Sequence, residues 1–325
     1  MPRILVTGGA GYIGSHTAHD LLRNNYDVLV LDDLSRGYRH NVPAGRLAEV
    51  NLSDRKALDE FFSREPFDAV IHFAALIAVG ESTREPARYF QNNTGGSMAL
   101  FEAMHKAGVN KIVFSSTAAV YGNPDTVPIP ETAPLRPVNP YGESKLMVER
   151  TLESLDRWAG FRYVALRYFN ACGADPELGL GEEHDPETHL IPLVLRAIRS
   201  RQPVTVFGED YPTADGTCIR DYIHVMDLAR AHMLALEHLL NGGASEVFNC
   251  GTGQGFSVRE VISAAERVTG LGVPHNVGPR RDGDPAELVA DSSKLKKMLG
   301  WKPKYRNLES IVETAWQFDR VRHGL

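Results

Sequence analysis

Tyr141 and Lys145 stand four residues apart in "NPYGESKLMVE", residues 139–149. Four residues make one helical turn, so on a helix the phenol and the ammonium leave the same face, within reach of one partner. The local grammar is helical: Asn139 is an N-cap type, Pro140 suits the first helical position, and apolar residues recur at helical spacing through "GESKLMVERTLESL". A phenol ionises near pH ~10, and a cation held close favours the phenolate and draws that value towards working pH. The pair can therefore supply a general base. By itself, YxxxK equally describes an exposed tyrosine and a solvated lysine on an amphipathic helix.

A second constellation changes that balance. "TGGAGYIGSH" places Gly8, Gly11 and Gly14 as GxxGxxG between a strand-like run and a helical one. Glycines there allow a tight turn, backbone approach to a pyrophosphate and close packing of helix on strand, with the helix N-terminus facing the anion. Asp32 ends the next strand, about twenty residues on, where a carboxylate accepts from an adenosine ribose and repels the 2′-phosphate of NADP. Together these residues predict an NAD site. Beside a nicotinamide, a phenolate at Tyr141 can take a hydroxyl proton while the ring takes the carbon-bound hydride, which oxidises an alcohol. "SSTAAVYG" adds Ser115, Ser116 and Thr117 at the end of a further strand, where open α/β sheets hold ligands. One of these hydroxyls can bridge substrate and Tyr141; Ser115 and Ser116 equally suit tying off the strand end.

The elements that must position these residues follow from the apolar pattern. Strands are expected at 3–7, 27–32, 68–74, 111–116 and 162–169, with helices at 12–24, 54–63, 85–107 and 141–158. This alternation predicts an α/β fold built on a Rossmann-type doubly wound parallel sheet. After about residue 170 the regularity fails. "GADPELGLGEEHDPETHLIP" and "FGEDYPTADGTCIRDYIHV" are long and turn-rich, as ligand-binding loops often are. At 325 residues the chain exceeds what single cores usually reach, so a second, smaller lobe of mixed α/β structure is expected, joined without a flexible linker.

Composition excludes several roles. A net charge of −6 leaves no basic footprint for nucleic acid, and no apolar run reaches the ~18 residues a membrane-spanning helix needs. The opening "MPRILVTGG" reads as a strand rather than a signal peptide, which points to the cytoplasm. Cys172, Cys218 and Cys250 lie far apart and outside metal-ligand spacing, so they are expected to be reduced and structural, with no bound metal.

Six segments, "TGGAGYIG", "SSTAAVYG", "NPYGESK", "RYFNACGA", "FGEDYPTADGTCIRDYIHVMDLA" and "RRDGD", together resemble the UDP-galactose 4-epimerases, nucleotide-sugar members of the extended short-chain dehydrogenase/reductase family. The resemblance runs essentially end to end, and "TADGTCIRDYIHVMDLA" is its narrowest part. It implies a catalytic set of Tyr141 as base at the sugar 4-hydroxyl, Thr117 as its hydrogen-bond bridge and Lys145 on the nicotinamide ribose. Implied NAD contacts are Gly8, Gly11, Tyr12, Ile13, Gly14, Asp32, Asn51, Leu52, Phe73, Ala74, Ala75, Asn92, Tyr141, Lys145 and Phe169. Implied contacts to a UDP-hexose are Thr117, Asn170, His189, Leu190, Thr205, Val206, Phe207, Arg220, Tyr222, Arg281, Asp284 and Leu288. The residue types agree: Arg220 and Arg281 can fork onto a diphosphate, Phe207 can pack near uracil and Asp284 can accept from ribose. The expected division is an NAD-binding domain at 1–170 with a return segment at about 218–250, and a UDP-sugar lobe at 171–217 and 251–325. Enzymes resembling this one are often homodimers.

The chain departs from the pattern at three places. Ile77 stands where a lysine is common, Asn51 where an aspartate commonly faces the adenine, and His189 where an asparagine is usual. The implied reaction is reversible epimerisation at C4 through a transient 4-keto sugar. Alternatives on the same scaffold are a UDP-N-acetylglucosamine or dual-specificity epimerase, a 4,6-dehydratase, a UDP-glucuronate epimerase and an NAD-binding regulator without turnover. A dehydratase would want an acid and a carboxylate where Ala118 and Ala119 stand, and a glucuronate enzyme a cation that "SSTAAVYG" lacks. Leu288 falls where the resembling family gates the sugar's 2-substituent; buried leucine is also a common core filler.

Overall fold

Runs rich in valine, isoleucine and leucine alternate with helical segments through the first half of the chain, and the architecture follows from that alternation. The computed structural model describes residues 1–281 and 284–324, so Asp282 and Gly283 of "RRDGD" lie outside the described residues. The early strands are β1 (Arg3–Thr7), β2 (Asp27–Asp32), β3 (Leu47–Glu49), β4 (Ala69–His72), β5 (Lys111–Ser115) and β6 (Arg162–Tyr168). Later strands are β7 (Asn170–Cys172), β8 (Val204–Phe207), β9 (Ile219–His224), β10 (Glu246–Cys250), β11 (Gly255–Ser257), β12 (His275–Gly278) and β13 (Glu287–Leu288).

Seven of these strands form one parallel sheet in the order β10-β6-β5-β4-β1-β2-β3. The order reverses between β1 and β4, which opens a crevice at their carboxyl ends. Helices α1 (Tyr12–Arg23), α2 (Arg55–Arg64), α5 (Gly96–Lys106), α6 (Pro140–Ala159) and α8 (Val225–Leu240) cover the sheet, with the short α3 (Val79–Arg84) and α4 (Pro86–Tyr89) between α2 and α5. Alternate residues of each strand feed opposite layers. Ile4 and Val6 pack with Ala18, Leu21 and Leu236 of α1 and α8, whereas Leu5 packs with Leu58, Leu100 and Leu152 of α2, α5 and α6. The fold is the expected Rossmann-type, doubly wound sheet.

The remaining strands pair apart from it. Strand β9 lies between β11 and β13 and also pairs with β7, while β8 pairs with β12. Helices α7 (Leu190–Ser200), α9 (Val258–Thr269) and α11 (Leu308–His323) close a third core over them, with Ile191, Val261 and Ile311 buried together; α10 (Ser293–Leu299) packs back on β10. Within the expected return segment at 218–250, β9 thus belongs to the small sheet, and only α8 and β10 rejoin the large one. The strand expected at 162–169 ends at Tyr168, and β7 starts at Asn170 in the other sheet, so Phe169 marks the exit of the chain from one sheet into the next. The helix expected over 85–107 is interrupted. Residues Phe90–Gly95 form a wider π-type turn, a feature common near functional sites.

A buried ion pair joins helix to sheet behind that crevice. Arg167 on β6 and Glu149 on α6 are 4% and 5% exposed. Arg167 donates from Nε to Glu149 Oε1 at 3.0 Å and from an Nη to Oε2 at 2.6 Å, and its other Nη reaches the Tyr121 hydroxyl at 3.0 Å. Tyr121 in turn donates to Asn249 Oδ1 at 2.7 Å, and Ser116 Oγ donates to Glu149. Removing one member strands a buried charge, so Arg167→Met is expected to cost about 3–5 kcal/mol in urea unfolding. The double variant Arg167→Met/Glu149→Leu should recover much of that loss. Equal destabilisation in both would show that the cost does not come from a stranded Glu149 charge.

Candidate active site

The glycine turn is built by close approach. Gly8 has φ +70°, and a Cβ there would sit 2.5 Å from the Ala74 amide nitrogen; at Gly14 it would sit 2.3 Å from the Gly8 carbonyl oxygen. Only glycine fits either position. Helix α1 begins with Gly11 as N-cap, no side chain caps it and its first turn holds no acid. Its first N–H groups are thus left for an anion. At the end of β2, Asp32 accepts from the Ala10 and Leu34 amides at 3.0 and 2.9 Å. Burial pushes its carboxyl upward, against those two N–H donors. Asn51 does not stand free, because its amide donates to Asp33 at 2.6 Å and its carbonyl caps Ser53. These features fit a dinucleotide: a turn that admits a pyrophosphate, free helix N–H groups and a carboxylate positioned for a ribose.

Helix α6 starts where expected. The Asn139 side chain accepts from Gly142 N at 2.9 Å, and Pro140 occupies the first turn. Tyr141, 7% exposed, packs against Leu76, Tyr89 and Ala119. One turn on, Lys145 donates to the Ser115 carbonyl at 2.8 Å and lies 4.9 Å from the centroid of the Phe114 ring. The expectation that lysine lowers the phenol's pKa is not met in the protein by itself. Burial pushes Tyr141 well up, Tyr168 adds to this, and Thr117 alone pulls it back. The same burial holds Lys145 down near 7, with Glu149 opposing it. Lys145 does not line the cleft; it lies beneath it. Ser115 pairs with the Tyr168 hydroxyl at 2.9 Å and Ser116 with Glu149, so both serve the strand end and Thr117 is the hydroxyl left facing the cleft.

The cleft has a volume of about 1300 Å³ and runs from the glycine turn to β8, β9 and β13. It brings together every expected cofactor and substrate residue except Lys145 and Val206. Val206 is 3% exposed and faces the third core, while Thr205 and Phe207 on either side face the cleft, as strand alternation requires. On the substrate side Arg220 is tied by Asp284 and by the Ile219 carbonyl, which leaves three of its five N–H donors unspent. The Arg281 guanidinium lies 4.1 Å from the centroid of Phe207. Leu288 pairs in register with Arg220 and packs beside Phe169, Ala118 and Leu146. Asn170 pairs with Tyr222 across β7 and β9. His189 turns its ring to Glu182 and Glu187. Ile77 stands at the rim, 38% exposed.

Sequence reasoning missed Asn93. Its side chain accepts from Leu76 N at 2.8 Å and donates to Leu76 O and Ser144 Oγ, both at 3.0 Å. It thereby locks the loop after β4 to α6, and Asn92 donates to it at 3.0 Å. The doubled asparagine of "QNNTGG" was the available signal. Arg36, Asp33 and Tyr168 also line the cleft and were not anticipated.

A doubly wound sheet carrying this glycine turn, an acid ending β2 and a Tyr-x-x-x-Lys pair on the helix after β5 defines a nicotinamide-dependent enzyme of the short-chain dehydrogenase/reductase kind. Comparison narrows the class. Residues 4–251 match the family model described as "NAD dependent epimerase/dehydratase family". A UDP-glucose 4-epimerase of Lacticaseibacillus casei is 51% identical over 317 residues, covering 97% of this chain and 96% of that protein. The crystal structure of UDP-glucose 4-epimerase from Brucella ovis in complex with NAD superposes with TM-score 0.94 at 47% identity, over 97% of this chain and 98% of that one. A UDP-glucose-4-epimerase from Stenotrophomonas maltophila, with bound NAD and formylated UDP-arabinopyranose, gives TM-score 0.95 at 42% identity over 100% and 99% of the two chains. The chain belongs to the NAD dependent epimerase/dehydratase family.

The buried lysine generates a test on NAD-free protein. Its folded value lies below the ordinary lysine value, so between pH 7 and about 10 the unfolded chain binds a proton that the folded chain lacks, and stability from this group rises with pH across that window. Urea unfolding of wild type and Lys145→Met across that range should show the wild type gaining relative to the variant. Parallel pH profiles would mean that the amine is not desolvated.

Proposed function

We propose that the cleft carries out reversible C4 epimerisation of a UDP-hexose, UDP-glucose to UDP-galactose, with Tyr141 as the acid/base. One observation carries this reading. Tyr141 and Thr117 face the same cleft as the glycine turn with Asp32 at one end and Arg220, Arg281 and Phe207 at the other. NAD, when bound, supplies reversible acceptance of a hydride from the sugar carbon. Tyr141 takes the proton from the 4-hydroxyl and later returns it, with the Thr117 hydroxyl as bridge. The Thr117 hydroxyl favours the phenolate against the burial that opposes it. Arg220 and Arg281 hold the diphosphate and Phe207 the uracil, so binding strength resides away from the hexose. The 4-keto sugar is then left free to present its other face, and inversion leaves no net redox change. Ala118 and Ala119 line the cleft where elimination would need acid and carboxylate, which disfavours a dehydratase.

The same reading assigns NAD to 1–170 with α8 and β10, and the UDP-sugar to the remainder. It also includes a homodimer. Met98 on α5 and Met147 and Trp158 on α6 are exposed apolar side chains on neighbouring helices, Trp158 at 82%, and a second copy would cover them. No helix among the described residues is long and apolar enough to cross a membrane. Cys172, Cys218 and Cys250 are free thiols, which fits the reducing cytoplasm.

Replacing the base should leave the fold and bound NAD intact. Tyr141→Phe is expected to lower kcat for UDP-galactose conversion by roughly 10² or more. Activity within twofold of wild type would remove Tyr141 from the chemistry.

Leu288 generates a specificity test. It lines the cleft and lacks a phenol's reach, so room remains beside the sugar. UDP-N-acetylglucosamine should be turned over less efficiently than UDP-glucose but within ~100-fold, and Leu288→Tyr should widen that gap. An unchanged ratio of kcat/KM values in the variant would show that Leu288 fills core without gating.

A further inference from the structure

The reaction leaves one polar cluster at the cleft unused. Segment 181–189 carries Glu182, His184, Glu187 and His189, and one ligand atom of each lies within 4.8 Å of the other three. Glu182 Oε1 is 3.0 Å from His184 Nδ1 and 2.7 Å from His189 Nδ1. Glu187 presents Oε1 at 3.2 Å from His189 Nδ1 and Oε2 at 3.7 Å from His184 Nδ1. The carboxylates are 6% and 10% exposed at their side chains, and the two imidazole centroids are 5.2 Å apart. Two separate His–Glu pairs would need one carboxylate each. Here both Nδ1 atoms converge on a single oxygen while the second carboxylate faces both rings, so four donors surround one centre.

We propose that Glu182, His184, Glu187 and His189 form a divalent transition-metal site, zinc by its donor set, which clamps segment 181–189 across the mouth of the cleft. Two imidazole nitrogens and two carboxylates suit zinc, whereas calcium and magnesium favour six or more oxygens. Zinc displaces the proton that each Nδ1 shares with a carboxylate, and the two carboxylate charges balance the ion, so a neutral complex replaces two buried ion pairs. Zinc bonds of about 2.0–2.2 Å place tetrahedral donors roughly 3.3–3.6 Å apart, so the ion would spread donors that now stand at hydrogen-bonding separations of 2.7–3.7 Å. Four protein donors fill a tetrahedral shell and leave no open position, so the ion is structural.

The position of the segment gives such a clamp something to hold. The Tyr12 ring meets His184 edge-on at 6.1 Å, Arg36 donates to the Asp185 carbonyl at 3.0 Å, and Glu183 pairs with Arg322 at 2.6 Å. His189 is also the N-cap position of α7, whose first residue, Leu190, lines the cleft. The ion would tie the nucleotide-binding turn to the start of α7. This inference does not depend on the epimerase reading.

The test uses the NAD-loaded protein, stripped with EDTA, given zinc and desalted. One zinc per chain by elemental analysis is expected, with the visible spectrum of tetrahedral cobalt when Co²⁺ replaces it. His184→Gln/Glu187→Gln should lose both while still holding NAD. Retention of zinc by that variant at the wild-type level would overturn the assignment, as would loss of all zinc from the wild type on desalting. Should the variant fail to fold, wild type alone decides: zinc is expected to raise its melting temperature and EDTA to reverse the rise, and no shift would overturn the site.

Discussion

Helix α6 is pressed against the carboxyl end of β5 along a face that carries more polar groups than a buried face normally holds. Tyr141, Ser144, Lys145 and Glu149 all point inward and all are 7% exposed or less. Each has a defined place: Tyr141 among Leu76 and Tyr89, Ser144 on Asn93, Lys145 on the Ser115 carbonyl and Glu149 on Arg167 and Ser116. Buried polar groups are costly unless partnered, so this set specifies one rotation and one depth for the helix. The Tyr141 phenol has its position because its neighbours one and two turns along have theirs.

The same burial sets the electrostatics. Burial takes the Lys145 amine down to near 7 and pushes the Tyr141 phenol up. The histidines show that burial need not win. It pulls His184 and His189 down, yet the carboxylates of Glu182 and Glu187 hold them up at about 9 and about 10. His72 is the contrasting case. It lies between Thr7 Oγ1 at 2.6 Å and Ser97 Oγ at 2.8 Å without a carboxylate, and burial takes it down to about 3. At these histidines it is the opposite charge that offsets the desolvation, where neutral hydroxyl partners at His72 do not.

At the far end of the cleft from the glycine turn, the cations have partners of their own. Arg220 rests on Asp284, and Arg281 on the Phe207 ring, so both cations are already oriented at the surface of β8 and β9. That arrangement depends on β13 pairing with β9, which sets Leu288 opposite Arg220 and brings a strand from far along the chain beside Phe169.

Local features of this protein were legible in its sequence because they are fixed by bonds between near neighbours. The glycine turn, the N-cap of α6, five of the six early strands and the one-turn spacing of Tyr141 and Lys145 each follow from a few adjacent residues, whereas the three-residue β3 carries too little pattern to be read. Conformation at Gly8 and Gly14 is forced by the lack of room for a Cβ, and such limits are written into residue type. Tertiary structure decided what depends on distant neighbours. It turned Val206 into the core and Phe207 into the cleft, gave β9 to the small sheet, opened the π-type turn that presents Asn92 and Asn93, and gathered Glu182, His184, Glu187 and His189 around one point. It also reversed the expected shift at Tyr141. A pKa answers to desolvation summed over every packed neighbour, and spacing along one helix carries no record of how much water the rest of the fold excludes.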